Sequence, residues 1–563
     1  MPFSNARVGR GGVMPAHICQ CLNRLLTLRS NSTVTIANER RKSGKEFVES
    51  VLSLAYKLSE MGLRRGHIVA ICAFNSDWYL GWLLAVAYVG GISAPLNYRW
   101  SLEESRLALE VIQPAMIVTD ESCKWLSELQ KGTIFSPRWH VYIGNHYSSL
   151  NGIQGCKRPF LNFQTVKYCW APEDVAIICF TSGSTGKPKG VAISHTSLIM
   201  QSLAKIAVVG YTEDDVYLHT APLCHIGGIS SCIAMLLAGG CHVLIPKFEV
   251  TLAVKAIEEN HVTSFITVPA ILASLVSMMR YNESRKPKQS VRKILNGGGS
   301  LSVQLVDDAI RCFHSATLLS AYGMTEACSS LTFITLYDPA VNNANQHLME
   351  VSEITPISVH PIGGICVGKP APHVEIVINR EEESSHVGRI MTRGSHVMIR
   401  YWGQSSAVEI DSGADWFDTG DSGHIDVHGN LWLVGRRNSR IKSGGENVYP
   451  EEVEVVLSQH PGISVVVVIG LPHARLGEMV VACVQITENW IWTDSALPSN
   501  VECHLSTSVL KEYCRIKSLT RFKIPKAFMI WRKPFPLTST GKVKRNEVKT
   551  EAMLHLQPLL CNL

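Results

Sequence analysis

Charge, paired cysteines and uninterrupted apolar stretches are all scarce in this 563-residue chain, and each scarcity narrows the choice of function. Charged residues make up 18%, and 53 basic against 47 acidic residues leave a net charge of +6. A nucleic-acid-binding chain would carry a concentrated basic stripe, and that signature is missing. The 17 cysteines are odd in number and scattered, many of them in apolar runs such as 177–180. No Cys-x-x-Cys pairs have zinc spacing, and Cys19 and Cys21, one residue apart, fit neither a zinc knuckle nor a redox pair. Buried structural thiols in a reducing compartment are expected. Two stretches, 78–98 and 216–246, lack formal charge. Gly90, Gly91 and Pro95 interrupt the first; Pro222, His225 and the pairs Gly227, Gly228 and Gly239, Gly240 interrupt the second. No transmembrane segment is predicted, and the first stretch reads as a buried helix, a turn and a short strand.

Apolar residues, at 46%, are plentiful enough over this length for more than one core, so several domains are expected. Through the first three-quarters, β-rich runs alternate with helical segments. Residues 175–180 read as a buried strand entering a Gly-rich loop. Residues 264–268 read as a strand ended by Pro269, 293–295 as a strand ending at Asn296 and three glycines, and 318–320 as a strand leading into 321–326. The expected fold class is α/β, with layered, largely parallel sheets and the chemistry at the carboxyl ends of the strands. Residues 362–434 have Gly-rich turns between short runs and predict an antiparallel, barrel-like piece. The polar stretch 435–440 is the candidate hinge, followed by a small, mobile α+β unit. No internal repeat is present, and the segment 487–506, with Trp490 and Trp492, reads as a loop-like insertion.

Residues 181–190, Thr-Ser-Gly-Ser-Thr-Gly-Lys-Pro-Lys-Gly, bring four hydroxyls, three glycines and two lysines into ten positions. Glycines admit an anion to the backbone N–H groups, and the hydroxyls and lysines add donors and charge. This is not a Walker loop, which needs Ser or Thr after the Lys, where Pro188 stands. The word closely resembles the signature of the AMP-forming, adenylate-forming superfamily of acyl-CoA synthetases, luciferase-type enzymes and peptide-synthetase adenylation domains. Further words follow in that family's order from about residue 16 to about residue 551.

The resemblance implies an AMP-forming acid–CoA ligase that uses ATP, magnesium and CoA. It divides the chain into an N-terminal AMP-binding domain at 16–437, a hinge at 438–441 and a C-terminal domain at 442–563, which leaves 1–15 as the expected targeting segment. ATP would be held by Thr181, Ser182, Gly183, Ser184, Thr185, Gly186, Lys187, Tyr322, Thr325, Asp421, Arg436 and Lys542. Tyr322 would pack on adenine, Thr325 touch the α-phosphate and Glu326 hold magnesium. Asp421 would accept from the two ribose hydroxyls, a vicinal diol matched to its two oxygens. The acid would lie against His225, Gly297, Gly298, Gly299, Tyr322 and Met324, and CoA against Ser443, Gly444 and Gly445. Lys542, His225 and Glu326 are the implied catalytic residues. Lys542 and the Gly444 loop share one small domain and cannot easily serve together, so the resemblance implies rotation about the hinge. Here the chain departs from the family: Ser439 stands where many members have an acidic residue or Lys. A hinge needs permissive backbone angles rather than charge, and rotation is expected to survive.

The words at 93–104, 293–302, 321–330 and 440–450 resemble most those of the plant group of the family that activates 2-succinylbenzoate in phylloquinone biosynthesis. A CoA ligase for another aromatic or fatty acid is the alternative. A loading domain for a carrier protein is disfavoured because no carrier sequence follows, and a non-catalytic nucleotide-binding relative because Lys542, Glu326 and Asp421 occur together. The second carboxylate of such a substrate needs a donor; His225 is a candidate, and no dedicated Arg can be identified. With a plant origin, the first 38 residues, holding Arg7, Arg10, Arg24 and Arg29 but no Asp or Glu, read as a chloroplast address. The terminal Leu563 reads as part of a peroxisomal one, with Asn562 in place of a basic residue. The partner expected is a small-molecule carboxylic acid, with neither nucleic acid nor a protein partner.

Overall fold

The computed structural model describes residues 16–130, 136–143, 168–182, 188–280, 290–341, 364–380, 386–404, 416–443, 446–473, 475–493, 503–517, 519–538 and 543–560. Its contacts divide the chain into two compact units. One comprises residues 1–248, 325–329 and 395–408, and the other 249–324, 330–394 and 409–563.

The first unit contains a seven-stranded sheet. Strands Val175–Ser182, Ile92–Pro95, Ile68–Cys72, Met116–Asp120 and Trp139–Ile143 lie side by side and parallel; Pro188–Ser194 and then Arg400–Tyr401 continue the sheet antiparallel at the other edge. Alternate residues Ile68, Ala70 and Cys72 pack with Ile92, Ala94 and Leu96 into one core, the period-two burial of a strand. A second set of strands, Val216–His219, Cys241–Leu244 and Thr33–Ala37, is parallel, with Arg40–Ser43 antiparallel at the end. Both uncharged runs fold into separate elements, the first as its glycines predict. The first becomes helix Asp77–Tyr88 and strand Ile92–Pro95. The second becomes strand Val216–His219, helix Ile226–Ala238 and strand Cys241–Leu244. No helix among the described residues is long and apolar enough to cross a membrane.

In the second unit, strands Ser264–Thr267, Lys293–Asn296 and Thr317–Met324 are parallel neighbours. The sheet continues through Ser329–Tyr337 into antiparallel strands Ile365–Pro370, Leu431–Arg436, Phe417–Ile425, Gly388–Arg393 and Glu375–Asn379. The antiparallel character predicted for 362–434 is present, but these strands do not close into a barrel: they extend an open sheet and leave Glu375–Asn379 at its edge. After the short turn Arg437–Ser439 comes a five-stranded sheet built on the long pair Ile463–His473 and Gly477–Ile486. Alternation serves both of its faces. Val468, Val480, Ala482 and Val484 enter one core, while Val467, Ile469, Val481 and Cys483 enter the other. Trp490 and Trp492, unexplained in the sequence, pack against the first of these cores, and Trp490 meets the ring of His460 edge-on. Of the fifteen described cysteines, twelve are buried.

Candidate functional site

Two groups of the predicted residues assemble, one in each unit. In the first unit, Thr181 and Ser182 end strand Val175–Ser182, and Pro188 and Lys189 begin the returning strand, with Thr181 opposite Lys189 and Ser182 opposite Pro188. The described ends of the phosphate word therefore pair as two antiparallel strands. Pro188 begins a strand, where a Walker loop continues into its helix. Gly183, Ser184, Thr185, Gly186 and Lys187 lie outside the described residues.

The next strand of that sheet brings a partner the sequence did not reveal. Tyr401 pairs with Val191, and its hydroxyl donates to Glu326 Oε1 at 2.9 Å. Lys189 Nζ lies 5.1 Å from the Tyr401 ring centroid, over its face. Burial, together with the charge of the Glu326 carboxylate and the bond to it, pushes the Tyr401 hydroxyl up from its ordinary pKa, so it stays a donor. Glu326 sits in the one-turn segment Thr325–Ala327 and is 9% exposed, and its carbonyl accepts from the Met398 N–H at 2.8 Å. A single carboxylate fixed by one hydroxyl beside a phosphate-type hairpin is a donor set that suits magnesium, which takes one or two carboxylates together with substrate phosphates.

His225 is the N-cap residue of helix Ile226–Ala238, with extended backbone angles, and it is half-buried. Its loop is held by Asn75, whose Nδ2 donates to the Ala221 carbonyl at 3.1 Å and whose Oδ1 accepts from the Leu223 N–H at 2.9 Å. Gly228 is required here because a Cβ would stand 2.3 Å from the Pro222 carbonyl oxygen. The sequence singled out Pro222 and the glycine pair but missed Asn75, whose significance lies in a contact 146 residues away.

In the second unit, Tyr322 and Met324 lie within strand Thr317–Met324, which extends further into the 321–326 word than the sequence suggested. The Tyr322 hydroxyl donates to Asp421 Oδ2 at 2.6 Å, and Arg436 Nε lies 3.5 Å from Asp421 Oδ1. Asp421 and Arg436 are register partners across strands Phe417–Ile425 and Leu431–Arg436, which explains why they face each other. Asp421 is 5% exposed, and its N–H donates to Thr419 Oγ1 at 3.2 Å. Burial, the negative charge of Asp421 and the bond to it hold the Tyr322 hydroxyl well above its ordinary pKa.

Gly297, Gly298 and Gly299 follow strand Lys293–Asn296, with Gly298 at φ +73° and open space where a Gly297 Cβ would stand. Buried Asn296 closes this turn: its Nδ2 donates to the Gly299 carbonyl at 2.8 Å and to Ser320 Oγ at 3.1 Å. Ser443 ends strand Ile441–Ser443 and is buried; Gly444 and Gly445, and likewise Lys542, lie outside the described residues. The hinge region holds the turn Arg437–Ser439 between extended residues Arg436 and Arg440, and Arg437 Nη1 pairs with Asp418 Oδ2 at 3.1 Å.

Comparison with known proteins extends this picture. The chain is 52% identical over 562 residues, 97% of its length and 99% of the other's, to the 2-succinylbenzoate–CoA ligase of Arabidopsis thaliana, named as chloroplastic/peroxisomal. Among solved structures it is similar to the o-succinylbenzoate CoA synthetase of Bacillus subtilis. The complex of that enzyme with its acyl-adenylate intermediate matches at a TM-score of 0.74 and 26% identity, covering 95% of this chain and 98% of that one. The complex with ATP and a magnesium ion matches at a TM-score of 0.72 and 26% identity, covering 95% and 99%. The C-terminal domain of AMP-binding enzymes matches residues 452–542, and the AMP-binding enzyme family itself matches residues 26–402. With that match over more than half of its length, the chain belongs to the AMP-binding enzyme family.

Proposed function

We propose that this enzyme converts 2-succinylbenzoate, ATP and CoA to 2-succinylbenzoyl-CoA, AMP and diphosphate through an acyl-adenylate. The observation that carries the reading is the 52% identity to the Arabidopsis ligase over nearly the whole of both chains. The reaction is that of an AMP-forming acid–CoA ligase, with ATP and CoA as substrates and magnesium as cofactor. The enzyme works in the chloroplast and also in the peroxisome, as the name of that relative states for it. The phylloquinone setting is the one the sequence words implied.

In the first half-reaction a substrate carboxylate oxygen attacks the α-phosphorus of ATP and diphosphate leaves. Both reactants are anions, so the task of the protein is to neutralise and orient. The residues of 181–190 and Lys542 offer donors to the phosphates, and Thr325 to the α-phosphate. Losing one such donor commonly costs about 10²–10³-fold in rate. Glu326, held by Tyr401, is the residue for magnesium, which when bound offsets phosphate charge. Tyr322 and the Gly297–Gly299 turn flank adenine and the acid, Asp421 accepts from the ribose hydroxyls with Arg436 beside it, and His225 and Met324 border the acyl group. In the second half-reaction the CoA sulfur attacks the acyl carbonyl and AMP leaves; Ser443, Gly444 and Gly445 leave room for the pantetheine arm. The domains are taken as 16–437 and 442–563, with 438–441 as the hinge between the two arrangements.

The test is diphosphate release from 2-succinylbenzoate, ATP and CoA, compared with coumarate and a series of fatty acids. Turnover that prefers 2-succinylbenzoate is expected. Turnover of another acid with none of 2-succinylbenzoate would overturn the substrate and leave the reaction class standing.

A further inference from the structure

Lys205 has no part in the adenylation chemistry above, yet it is fully buried in helix His195–Val209. Buried lysines are almost always paired. Among the described residues, Lys205 Nζ instead donates to three neutral hydroxyls: Ser230 Oγ at 2.6 Å, Ser231 Oγ at 3.0 Å and Ser329 Oγ at 3.3 Å. The cation is thus hydrogen-bonded but lacks a counter-charge, and burial draws its pKa down to about 7. The neighbouring thiol of Cys328 is pushed up to about 12 by burial and remains neutral.

The three serines come from two segments that carry residues of the proposed site, the acyl-bordering His225 and the magnesium residue Glu326. Ser230 and Ser231 lie on helix Ile226–Ala238, five and six residues beyond its N-cap His225. Ser329 follows Glu326 by three residues. The backbone at this point is strained: Cys328 has φ +51° and Ser329 φ +105°, two successive non-glycine residues in the left-handed half of the map. Such strain persists where the surroundings impose it, and it clusters at ligand sites. Here it holds a hydroxyl against a buried ammonium.

We propose that Lys205, presented with Ser230, Ser231 and Ser329, binds the substrate carboxylate that is not activated and so selects a diacid. The inference rests on the 2-succinylbenzoate reading and supplies the donor that the sequence could assign only to His225. A diacid brings the missing counter-charge. A mono-acid sets hydrogen against a buried cation and leaves it unpaired, which rejects the wrong substrate far more strongly than a missing methylene does.

The experiment compares wild type, Lys205→Met and Lys205→Arg on three acids: 2-succinylbenzoate, 3-benzoylpropionate, which lacks the ring carboxylate, and 2-butanoylbenzoate, which lacks the chain carboxylate. In Lys205→Met the ratio of kcat/KM for the diacid to that for whichever mono-acid reacts should fall on the order of 10²-fold, chiefly through the KM of the diacid. Lys205→Arg should recover part of the ratio. An unchanged ratio would overturn the proposal. Calorimetric binding of 2-succinylbenzoate without ATP gives a second readout: a weaker Kd in Lys205→Met supports the assignment, and an equal Kd contradicts it. Lys205→Met should melt no lower than wild type, because methionine fills the space without a buried charge; a lower melting temperature would mark a structural lysine and count against the proposal. A wild type inert toward 2-succinylbenzoate but active on another acid sinks the substrate reading itself, which is a separate result.

Discussion

Tyr401→Phe isolates one hydroxyl at the candidate magnesium site. The ring that lies against Lys189 is kept, and only the donor 2.9 Å from Glu326 Oε1 is lost. A hydrogen bond to a charged group contributes about 1.5–3 kcal/mol, and the carboxylate deprived of it is only 9% exposed. If the bond restrains Glu326 for magnesium and phosphate, its loss should lower kcat/KM for ATP by about 10- to 100-fold, at about 1.4 kcal/mol per tenfold. Initial rates of diphosphate release, measured over ATP concentration at several free magnesium levels, separate the terms. The magnesium needed for half-maximal rate should rise, and excess magnesium should restore part of the loss. A change in kcat/KM under about twofold, with Glu326→Gln severely impaired in the same assay, would refute the positioning role. A loss indifferent to magnesium would refute the link to the metal.

The other expectations concern separate parts of the protein. Asp421→Asn keeps the shape but removes the charge that faces Tyr322 and Arg436; KM for ATP should rise about tenfold or more, and an unchanged KM would contradict the ribose role. Asn75→Ala removes both bonds to the loop before His225 and should cost about 1–3 kcal/mol of stability and raise KM for the acid; denaturant unfolding and acid-saturation curves check the two halves. Lys542→Ala should abolish adenylation and leave thioester formation from supplied acyl-adenylate largely intact, and equal loss in both would refute the division of labour. For pH, the Lys205 pKa is lowered from 10.5 to about 7, so between those values the unfolded chain holds a proton that the native one lacks. Stability from this group therefore rises with pH across that window, by at most about 1.4 kcal/mol per unit, and its penalty is full below pH 7. The excess melting temperature of Lys205→Met over wild type should be greatest below pH 7 and shrink toward pH 9; a gap that widens with pH would contradict the assignment.

Much of the site could be read from the sequence because its residues sit in short contiguous words whose chemistry is local. The glycines and hydroxyls of 181–190, the three glycines after Asn296 and the word ending at Glu326 are of this kind. What escaped depends on register. Tyr401 matters because strand Arg400–Tyr401 pairs with Pro188–Ser194 and so reaches Glu326, 75 residues away. Asp421 and Arg436 are both singled out by their sequence words, but their union with Tyr322 arises only from the pairing of two antiparallel strands and a contact spanning 99 residues. Lys205 resembles any lysine on a helix until helix packing buries it among serines from two other segments. The antiparallel strands after residue 364 were visible as alternation between turns, but alternation is the same in an open sheet and a closed barrel. Only the order of the strands, with Glu375–Asn379 left at an edge, distinguishes them.

In the proposed reaction the acid is first joined to AMP, before CoA takes part. Exchange of labelled diphosphate into ATP, run with 2-succinylbenzoate and magnesium but no CoA, tests it most directly. Rapid exchange that requires 2-succinylbenzoate and disappears in Lys542→Ala is expected. Thioester formation in the complete mixture, with no exchange when CoA is withheld, would contradict it.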